Sequence, residues 1–262
     1  MNVARETRRV RMSSSRLRVV AASDLHAPSR RVSIPSLVRE VNRWSPDLFV
    51  LLGDIVTRRN RGPLVREFGP VRAPAGKLAV LGNWEYHRRL DPAMLKAEYR
   101  RAGVTLLVNE TFRADGLPVA GLDDLLEGDP DFTLAGRAAR GEHTVLVLSH
   151  CPAAFDLLPE NIPPVLVLSG HTHGGQLAPF GRPLFTPRGS GPYVSGWYEN
   201  RKGSLYVTRG VGTTLIPLRI GAPAELLVLD LVGGGTAGET PAAYEAGRLP
   251  VEPPAARTEN RP

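Results

Sequence analysis

The chain has 262 residues, of which 42% are hydrophobic and 23% charged, a composition typical of a globular domain. Its apolar runs are all shorter than the roughly 18–20 residues of a membrane-spanning helix, and its one cysteine, Cys151, excludes an internal disulfide. A lone thiol favours a reducing compartment, and we expect a cytoplasmic protein. Cys151 is either a nucleophile or, as we expect, a small buried residue.

Most of the net charge of +7 lies at the start of the chain. The first eighteen residues carry six arginines against one glutamate, so the rest of the chain is close to neutral. We predict that residues 1–16 form a basic flexible arm, either simply solvated or attracted to anionic lipid, which would give a peripheral membrane contact. Nucleic acid is not expected as a partner, because no aromatic residues interleave with these arginines and the body lacks a basic stripe.

Apolar runs of strand length follow the arm. Many are rich in β-branched residues and apolar on both faces, which is typical of strands covered on both sides. The predicted strands are residues 17–23, 48–52, 77–81, 104–108, 144–149, 165–169, 204–208 and 225–231.

Helix signals lie between the early strands. The segment SLVREVNRW places Leu37, Val41 and Trp44 on one helical face. A second helix is predicted to begin at Asp91-Pro92, an N-cap followed by a proline in the first turn, and to end at Gly103. Strands that alternate with helices predict an α/β layered fold.

The second half of the chain contains two segments without clear periodicity. Residues 174–203 are rich in Gly and Pro and predict loops around a site. Residues 233–262 have few large apolar side chains and predict a disordered tail. The folded domain is therefore expected at 17–232.

Polar side chains follow several of the predicted strands at the point where each ends. In open α/β sheets this edge is where ligands bind. A single His or Asp at a strand end is more often a cap or a solvated loop residue, but seven donors at such junctions favour a metal site. The seven are Asp24, His26, Asp54, Asn83, His150, His171 and His173.

Spacing and residue type narrow the kind of metal site. Residues two apart in extended backbone point the same way, so Asp24 with His26, and His171 with His173, can each converge on one point. Carboxylate, imidazole and amide ligands without a thiolate suit Mn, Fe, Zn or Ni. Seven ligands are too many for one tetrahedral ion but are enough for two divalent ions that share a bridging carboxylate.

Five sequence blocks carry these donors: SDLH, LLGDIV, LGNWE, LSHCP and SGHTHGGQ. Their order resembles the calcineurin-like metallophosphoesterases. More narrowly, the chain is similar to the bacterial subgroup of YkuE/YaeI-type phosphodiesterases and UDP-2,3-diacylglucosamine pyrophosphatases. The resemblance covers about residues 17–232.

The resemblance implies a fold, a metal centre and an activity. The family fold is a four-layer α/β/β/α sandwich with two metals at its edge. Such metals bind the phosphoryl oxygens and lower the pKa of a water, and the resulting hydroxide attacks phosphorus in line. The implied ligands are Asp24, His26 and His173 for the first metal, Asp54 as the bridge, and Asn83, His150 and His171 for the second.

The chain departs from the family pattern at Trp84. The usual block is GN followed by a histidine that protonates or stabilises the leaving oxygen. An indole N–H donates a hydrogen bond but does not titrate, and loss of a general acid commonly costs about 10²–10⁴-fold in rate. The leaving-group chemistry is therefore expected to differ from that of the family.

Three explanations of Trp84 stay open. The substrate can carry a good leaving group, such as one end of a pyrophosphate, and we favour this because all seven donors are kept. His87, in the same loop, can substitute as the acid, although a surface role is the simpler interpretation. The protein can also bind phosphate-containing ligands and turn them over poorly. Trp84 itself is either a packing residue or an aromatic surface for a nucleobase, sugar or acyl chain.

Two functions of different classes follow. The first is a metal-dependent phosphohydrolase that cleaves a phosphodiester or pyrophosphate in a small-molecule or lipid substrate, which can be nucleotide-linked. The alternative is a regulatory protein that binds metal and phosphate ligands but is catalytically weak because of Trp84.

Overall fold

The computed structural model describes residues 1–27, 33–55, 64–87, 92–139 and 143–234. In these ranges the strands are β1 (Asn2–Val10), β2 (Arg16–Ala22), β3 (Leu48–Leu52), β4 (Gly76–Val80), β5 (Thr105–Leu106), β6 (Glu110–Ala114), β7 (Leu117–Gly121), β8 (Val145–Leu148), β9 (Val165–Ser169), β10 (Gly196–Asn200), β11 (Gly203–Val207) and β12 (Glu225–Gly233). The helices are α1 (Ile34–Arg43), α2 (Asn83–His87), α3 (Pro92–Arg101), α4 (Leu134–Ala138) and α5 (Ala154–Leu157). Short 3-10 turns cover Leu64–Phe68, His173–Gly175 and Pro179–Gly181.

The strands form two six-stranded mixed sheets. The first has the order β1-β12-β2-β3-β4-β5, and the second has the order β10-β11-β9-β8-β7-β6. Within the first sheet β2, β3 and β4 run parallel, and within the second β7, β8 and β9 run parallel. The carboxyl ends of neighbouring strands therefore meet at one edge of each sheet.

Alternating side chains of these strands build three apolar layers. One face of the first sheet, including Val50, packs against residues of the second sheet such as Leu148. The other face, including Phe49, packs against α1 and α3. The outer face of the second sheet, including Val147, packs against α4 and α5. This arrangement confirms the predicted four-layer α/β/β/α sandwich.

The sequence patterns located most of the sandwich. The apolar runs are strands within two residues at each end, except 104–108, where only Thr105–Leu106 pairs with a neighbour. Helix α1 begins after Ser33, whose hydroxyl accepts from the backbone N–H of Ser36, and it buries Leu37 as predicted. Among the described residues, no helix is long and apolar enough to cross a bilayer.

The second predicted helix also forms. Helix α3 begins at Pro92, and the chain leaves it through Gly103 at a φ of 68°, a conformation that favours glycine. Asp91, the predicted cap, lies outside the described residues.

Three strands other than β1 were not predicted. Strands β6 and β7 form an antiparallel hairpin, and β10 lies within residues 174–203, which were predicted as loops. Both β6 and β10 are outermost strands with few buried side chains, so they lack the continuous apolar run that marks the inner strands. Of the predicted disordered tail, Gly233 ends β12 and residues 235–262 lie outside the described residues.

The prediction of a flexible arm at residues 1–16 is wrong. Residues Asn2–Val10 form β1 at the edge of the first sheet, and they pair in parallel with β12 over their whole length, from Asn2 beside Glu225 to Val10 beside Gly233. Charged side chains on an edge strand are a common defence against pairing with other chains, which explains why the sequence of β1 reads as a solvated arm.

Several arginines of this region have partners within the fold. The guanidinium of Arg8 lies 2.7 Å from Glu199 and 4.0 Å from the ring centre of Trp197. Arg18 and Arg16 both bind the carboxylate of Asp230 at 2.8–2.9 Å. Because these guanidinium groups already have partners in the fold, they are not free to attract anionic lipid as the predicted arm would.

Deletion of residues 1–10 tests the assignment of β1. The deletion exposes the backbone edge of β12, so we expect the melting temperature to fall by at least about 5 °C. Differential scanning calorimetry measures it, and Arg9→Gln, which removes one exposed charge and keeps the strand, should melt like the wild type. An unchanged melting temperature in the deletion variant would restore the flexible arm.

Candidate metal centre

The predicted donors lie on loops that leave the carboxyl ends of five strands, β2, β3, β4, β8 and β9. Backbone hydrogen bonds join these loops to each other. The N–H of Asp24 donates to the carbonyl of Gly53 at 3.1 Å, that of His26 to Asp54 at 3.0 Å, and that of Gly170 to His150 at 3.0 Å. The edge is therefore a single hydrogen-bonded unit rather than a set of independent loops.

Five of the seven donors have left-handed backbone conformation, which is uncommon for residues other than glycine. Such a conformation costs about 1–2 kcal/mol per residue. Strained residues of this kind cluster where the surrounding structure holds them for a function. The five are Asp24 (φ 54°), His26 (φ 44°), Asp54 (φ 54°), His171 (φ 72°) and His173 (φ 53°).

Two glycines allow the loops to approach the acidic donors closely. A β-carbon at Gly82 would overlap the carboxylate of Asp54, and one at Gly170 would overlap the hydroxyl of Ser23 and the carboxylate of Asp24. Any side chain at these positions would push an acidic donor out of place.

Six of the donors form two buried clusters. In each cluster the ligand atoms all lie within 4.8 Å of one another, as a shared ion requires. The first cluster contains Asp24, His26 and His173, and the second contains Asp54, His150 and His171. The predicted convergence is found for Asp24 with His26 but is wrong for His171 with His173, which contribute to different clusters on a left-handed rather than an extended backbone.

The carboxylate of Asp54 joins the two clusters. Its Oδ2 lies 3.3 Å from Nε2 of His150 in its own cluster and 3.6 Å from Nε2 of His26 in the other. Its Oδ1 accepts a hydrogen bond of 2.9 Å from the backbone N–H of Trp84. One oxygen is thus held by the protein while the other faces histidines of both clusters.

Asn83, the seventh predicted donor, lies beside the second cluster. Its backbone neighbours on both sides contact Asp54, because Gly82 lies against the carboxylate and the N–H of Trp84 donates to it. The side-chain oxygen of Asn83 is buried without a hydrogen-bond partner. A buried polar oxygen without a partner costs free energy, and a cation would satisfy it.

Backbone carbonyls orient two of the histidines. Nδ1 of His150 lies 2.7 Å from the carbonyl of Leu52, and Nε2 of His171 lies 2.7 Å from that of Arg188. Each of these nitrogens donates its proton to the carbonyl, so in the neutral ring the other nitrogen is the one that can bind a metal. Those other nitrogens, Nε2 of His150 and Nδ1 of His171, lie 3.1 Å apart in the cluster. This support by a carbonyl is the usual arrangement behind a metal-binding imidazole.

Burial and nearby charges shift the pKa values of all four histidines of the two clusters. It lowers the pKa values of His26 and His171, and burial together with the nearby charges lowers that of His173 to about 3. Neutral imidazole is the form that binds metal. Although burial opposes it, the Asp54 carboxylate raises the pKa of His150, which reflects the concentration of negative charge at the centre.

Glu85 is a supporting residue that sequence reasoning missed. Its buried carboxylate accepts hydrogen bonds from the backbone N–H groups of Asp54 (3.0 Å), Ile55 (2.8 Å) and Gly82 (2.9 Å). It therefore fixes the loops after β3 and β4 to each other. The available sequence signal was a lone carboxylate directly after the LGNW block.

Arg219 supports the opposite side of the centre and was also missed. Its guanidinium donates to the carbonyls of His173 (3.0 Å) and Gly212 (2.8 Å from Nε), and it lies 3.2 Å from Nδ1 of His173. Burial lowers the pKa of Arg219 to about 10, so it remains positively charged at neutral pH. The only signal in the sequence is a single cation within the apolar run LIPLRI.

Trp84 forms part of the wall of the centre. Its ring meets His26 edge-on at 5.3 Å between ring centres and meets His87 at 6.1 Å. His87 is exposed, and its Nε2 lies 3.8 Å from the carboxylate of Glu127. His87 is thus near the wall of the centre, and its role as a substitute acid stays a prediction.

Cys151 follows His150 directly but is a buried residue, as expected. Its thiol lies 3.6 Å from Oδ2 of Asp124, and burial raises its pKa. A thiol with a raised pKa is a poor nucleophile, so Cys151 is assigned no chemistry.

Comparison with known proteins agrees with this geometry. The family described as calcineurin-like phosphoesterase matches residues 17–175. The uncharacterized metallophosphoesterase YkuE of Bacillus subtilis is 35% identical over 228 residues, which are 82% of this chain and 78% of that protein. An uncharacterized metallophosphoesterase of Aquifex aeolicus is 33% identical over 84% of this chain and 86% of its own length.

Other relatives are longer than the matched region. An uncharacterized metallophosphoesterase of Campylobacter jejuni is 30% identical over 83% of this chain, which spans 59% of that protein. The chain belongs to the calcineurin-like phosphoesterase family, and this places it among the metal-dependent phosphoester hydrolases.

The role of Glu85 can be tested by Glu85→Ala. The variant leaves three backbone N–H groups without their acceptor, so we expect a loss of about 1–3 kcal/mol in the free energy of unfolding and a 10–100-fold weaker affinity for Mn²⁺. Urea denaturation and metal titration measure the two effects. The control Glu110→Ala, which removes a surface ion pair with Lys96, should cost at most about 1 kcal/mol. Unchanged metal affinity in Glu85→Ala would reduce this residue to a packing role.

Proposed function

We propose that this chain hydrolyses a phosphodiester or pyrophosphate bond with two divalent metal ions held at the edge of the sandwich. The observation that carries the proposal is the position of Asp54, whose Oδ2 faces His150 of one cluster and His26 of the other. Two ions bound in adjacent clusters need a shared ligand of this kind, because their charges repel one another.

The residues present fit two such ions. The donors are carboxylate, imidazole and amide groups, which suit Mn, Fe, Zn or Ni, and the partnerless oxygen of Asn83 would gain a cation. Bound divalent ions supply Lewis-acid chemistry: they lower the pKa of water and neutralise negative charge on phosphoryl oxygens. The assigned holders are Asp24, His26 and His173 for one ion, Asn83, His150 and His171 for the other, and Asp54 for both.

The chain itself keeps these donors ready for the reaction. Carbonyls fix the ring nitrogens of His150 and His171, and Glu85 holds the loop that carries Asp54. The charge of Arg219 disfavours protonation of His173. Such preorganisation means that little rearrangement is needed when charge develops on the phosphoryl group.

Trp84 determines the class of substrate in this proposal. Its ring stands beside His26, next to the proposed position of the phosphoryl group, and it cannot give a proton to a leaving oxygen. A leaving group that is already a weak base, such as a phosphate in a pyrophosphate, needs no such proton. The aromatic ring would also pack on a nucleobase or an acyl chain, which favours a nucleotide- or lipid-linked substrate.

Asp54→Asn tests the shared ligand. With one negative charge fewer between the ions, we expect the rate of hydrolysis of bis-p-nitrophenyl phosphate in Mn²⁺ to fall by at least about 100-fold, with fewer than two ions bound per chain by elemental analysis. Asp115→Asn is a matched control, because Asp115 is a surface aspartate with a similar left-handed backbone (φ 46°) and should behave like the wild type. An Asp54→Asn variant of full activity would refute the assigned centre.

Trp84→His tests the leaving-group explanation. We expect wild type to cleave aryl phosphodiesters with acidic leaving groups readily and those with basic leaving groups slowly. Because the variant supplies a general acid, its rate on the basic leaving groups should rise by about 10²–10⁴-fold. The measurement is a plot of rate against leaving-group pKa, which should be steep for wild type and shallow for the variant.

The same series tests the alternative function and the role of His87. A wild type that binds Mn²⁺ but is inert on every substrate, beside an active Trp84→His variant, would identify a binding protein instead of an enzyme. A His87→Ala variant whose plot steepens relative to wild type would assign the acid to His87 and overturn the explanation by leaving group.

A further inference from the structure

Two loops beside the metal centre carry a group of exposed apolar side chains. We name residues 177–185 and 214–221 the apolar loop pair. At their tips Phe180 is fully exposed and Leu215 is 92% exposed. The other exposed apolar side chains of the pair are Leu184, Phe185, Ile216, Leu218 and Ile220. A contiguous set of large exposed apolar side chains marks an interaction site in a soluble domain.

The two loops form one body. The backbone N–H of Ala178 donates to the carbonyl of Ile220 at 2.7 Å, and that of Ile220 donates to Gln176 at 2.9 Å. The side-chain amide of Gln176 donates to the carbonyls of Thr214 (3.0 Å) and Ile216 (2.9 Å) and accepts from the N–H of Thr214 (2.9 Å). The hydrogen bonds between the loops therefore hold the exposed tips in a fixed position.

The backbone at both tips is left-handed. Phe180 has a φ of 55° and Leu215 a φ of 52°, and bulky residues rarely adopt this conformation because it is strained. These two strained residues carry the two most exposed side chains of the loop pair. A structure that maintains strain to expose apolar side chains indicates a use for that exposure.

The loop pair is attached directly to the metal centre. Gln176 follows His173 by three residues, and Arg219 of the second loop contacts the ring of His173 at 3.2 Å. Whatever the loop pair binds is therefore brought close to the phosphoryl site.

The charge around the loop pair is net positive. Residues 174–225 contain six lysine and arginine residues and two carboxylates, Glu199 and Glu225, of which Glu225 pairs with Arg209. The loops themselves contain Arg182, which is exposed, and the half-buried Arg219, with no acidic residue. Apolar tips flanked by basic side chains and by no carboxylates match a surface with an apolar interior and anionic headgroups.

We propose that the apolar loop pair docks this protein on an anionic lipid bilayer, with the tips at Phe180 and Leu215 inserted among the acyl chains. The tip side chains of Phe180 and Leu215 are almost fully exposed, and a bilayer accepts such side chains without a preformed pocket, whereas a protein partner would need a complementary groove. This surface takes the place of the predicted basic arm, because residues 2–10 form β1 and Arg5, Arg8 and Arg16 have partners within the fold. The proposal does not depend on the reaction catalysed, because docking is measured without turnover.

Flotation with lipid vesicles tests the proposal. The full chain is mixed with vesicles of phosphatidylcholine, with or without phosphatidylglycerol, and the bound fraction is measured. We expect binding to the vesicles that contain phosphatidylglycerol, weakened by salt. The double variant Phe180→Ser/Leu215→Ser should bind at least about tenfold more weakly, since each inserted side chain contributes by its apolar area.

The matched control is the double variant Met94→Ser/Leu157→Ser. It removes two exposed apolar side chains, 69% and 51% exposed, that lie outside the loop pair, and it should bind vesicles like the wild type. Failure of wild type to float, or equal binding by the loop variant, would overturn the proposal. A dimer detected by light scattering that the loop variant abolishes, in a protein that does not float, would assign the surface to a second copy instead.

Discussion

The centre of this protein depends on one shared carboxylate. Asp54 lies where two clusters of histidines meet, with one oxygen facing both and the other capped by the backbone of Trp84. A buried carboxylate in this position is costly unless cations or donors surround it. Glu85 and the close approach of Gly82 hold the same loop from behind. Much of the edge of the sandwich therefore serves to keep the Asp54 carboxylate in a fixed place between the two clusters.

The backbone strain at this edge also depends on how the sheets position the donors. Five donors in left-handed conformation cost about 1–2 kcal/mol each, and a domain with a net stability of about 5–15 kcal/mol cannot carry such a cost without compensation. The compensation lies in the two sheets, whose inner strands are buried on both faces. The rigid layers fix where each strand ends. Because few residues separate the donors, the loops cannot rearrange to remove the left-handed conformations. In the stretch His171 to His173 this geometry turns two ring nitrogens toward different clusters.

The sequence predicts the inner part of this structure better than its margins. Buried strands such as β3 and β9 are continuous apolar runs, and the donors follow them directly, so both the layers and the ligand set can be read from pattern. The edge strand β1 is not recognised as a strand because it is rich in arginine. Those arginines contact Glu199 and the rings of Trp44 and Trp197, which come from distant parts of the chain. Glu85 and Arg219 are missed for the same reason. Their partners include backbone groups that are distant in the sequence, Asp54 for Glu85 and His173 for Arg219. A pattern of residue types contains no record of those contacts.

The block SGHTHGGQ combines the chemistry and the apolar loop pair in one short stretch. His171 and His173 contribute to the two clusters, and Gln176 then holds the second loop through three hydrogen bonds. Gly174 and Gly175, at φ values of 62° and 77°, make the turn that joins these roles. Arg219, in the second loop, contacts the ring of His173. The segment of His173 holds the second loop through Gln176, and the second loop contacts His173 through Arg219. The position of the loop pair and the position of His173 therefore depend on each other. A surface that engages the loops is therefore mechanically continuous with the site where a phosphoryl group would bind.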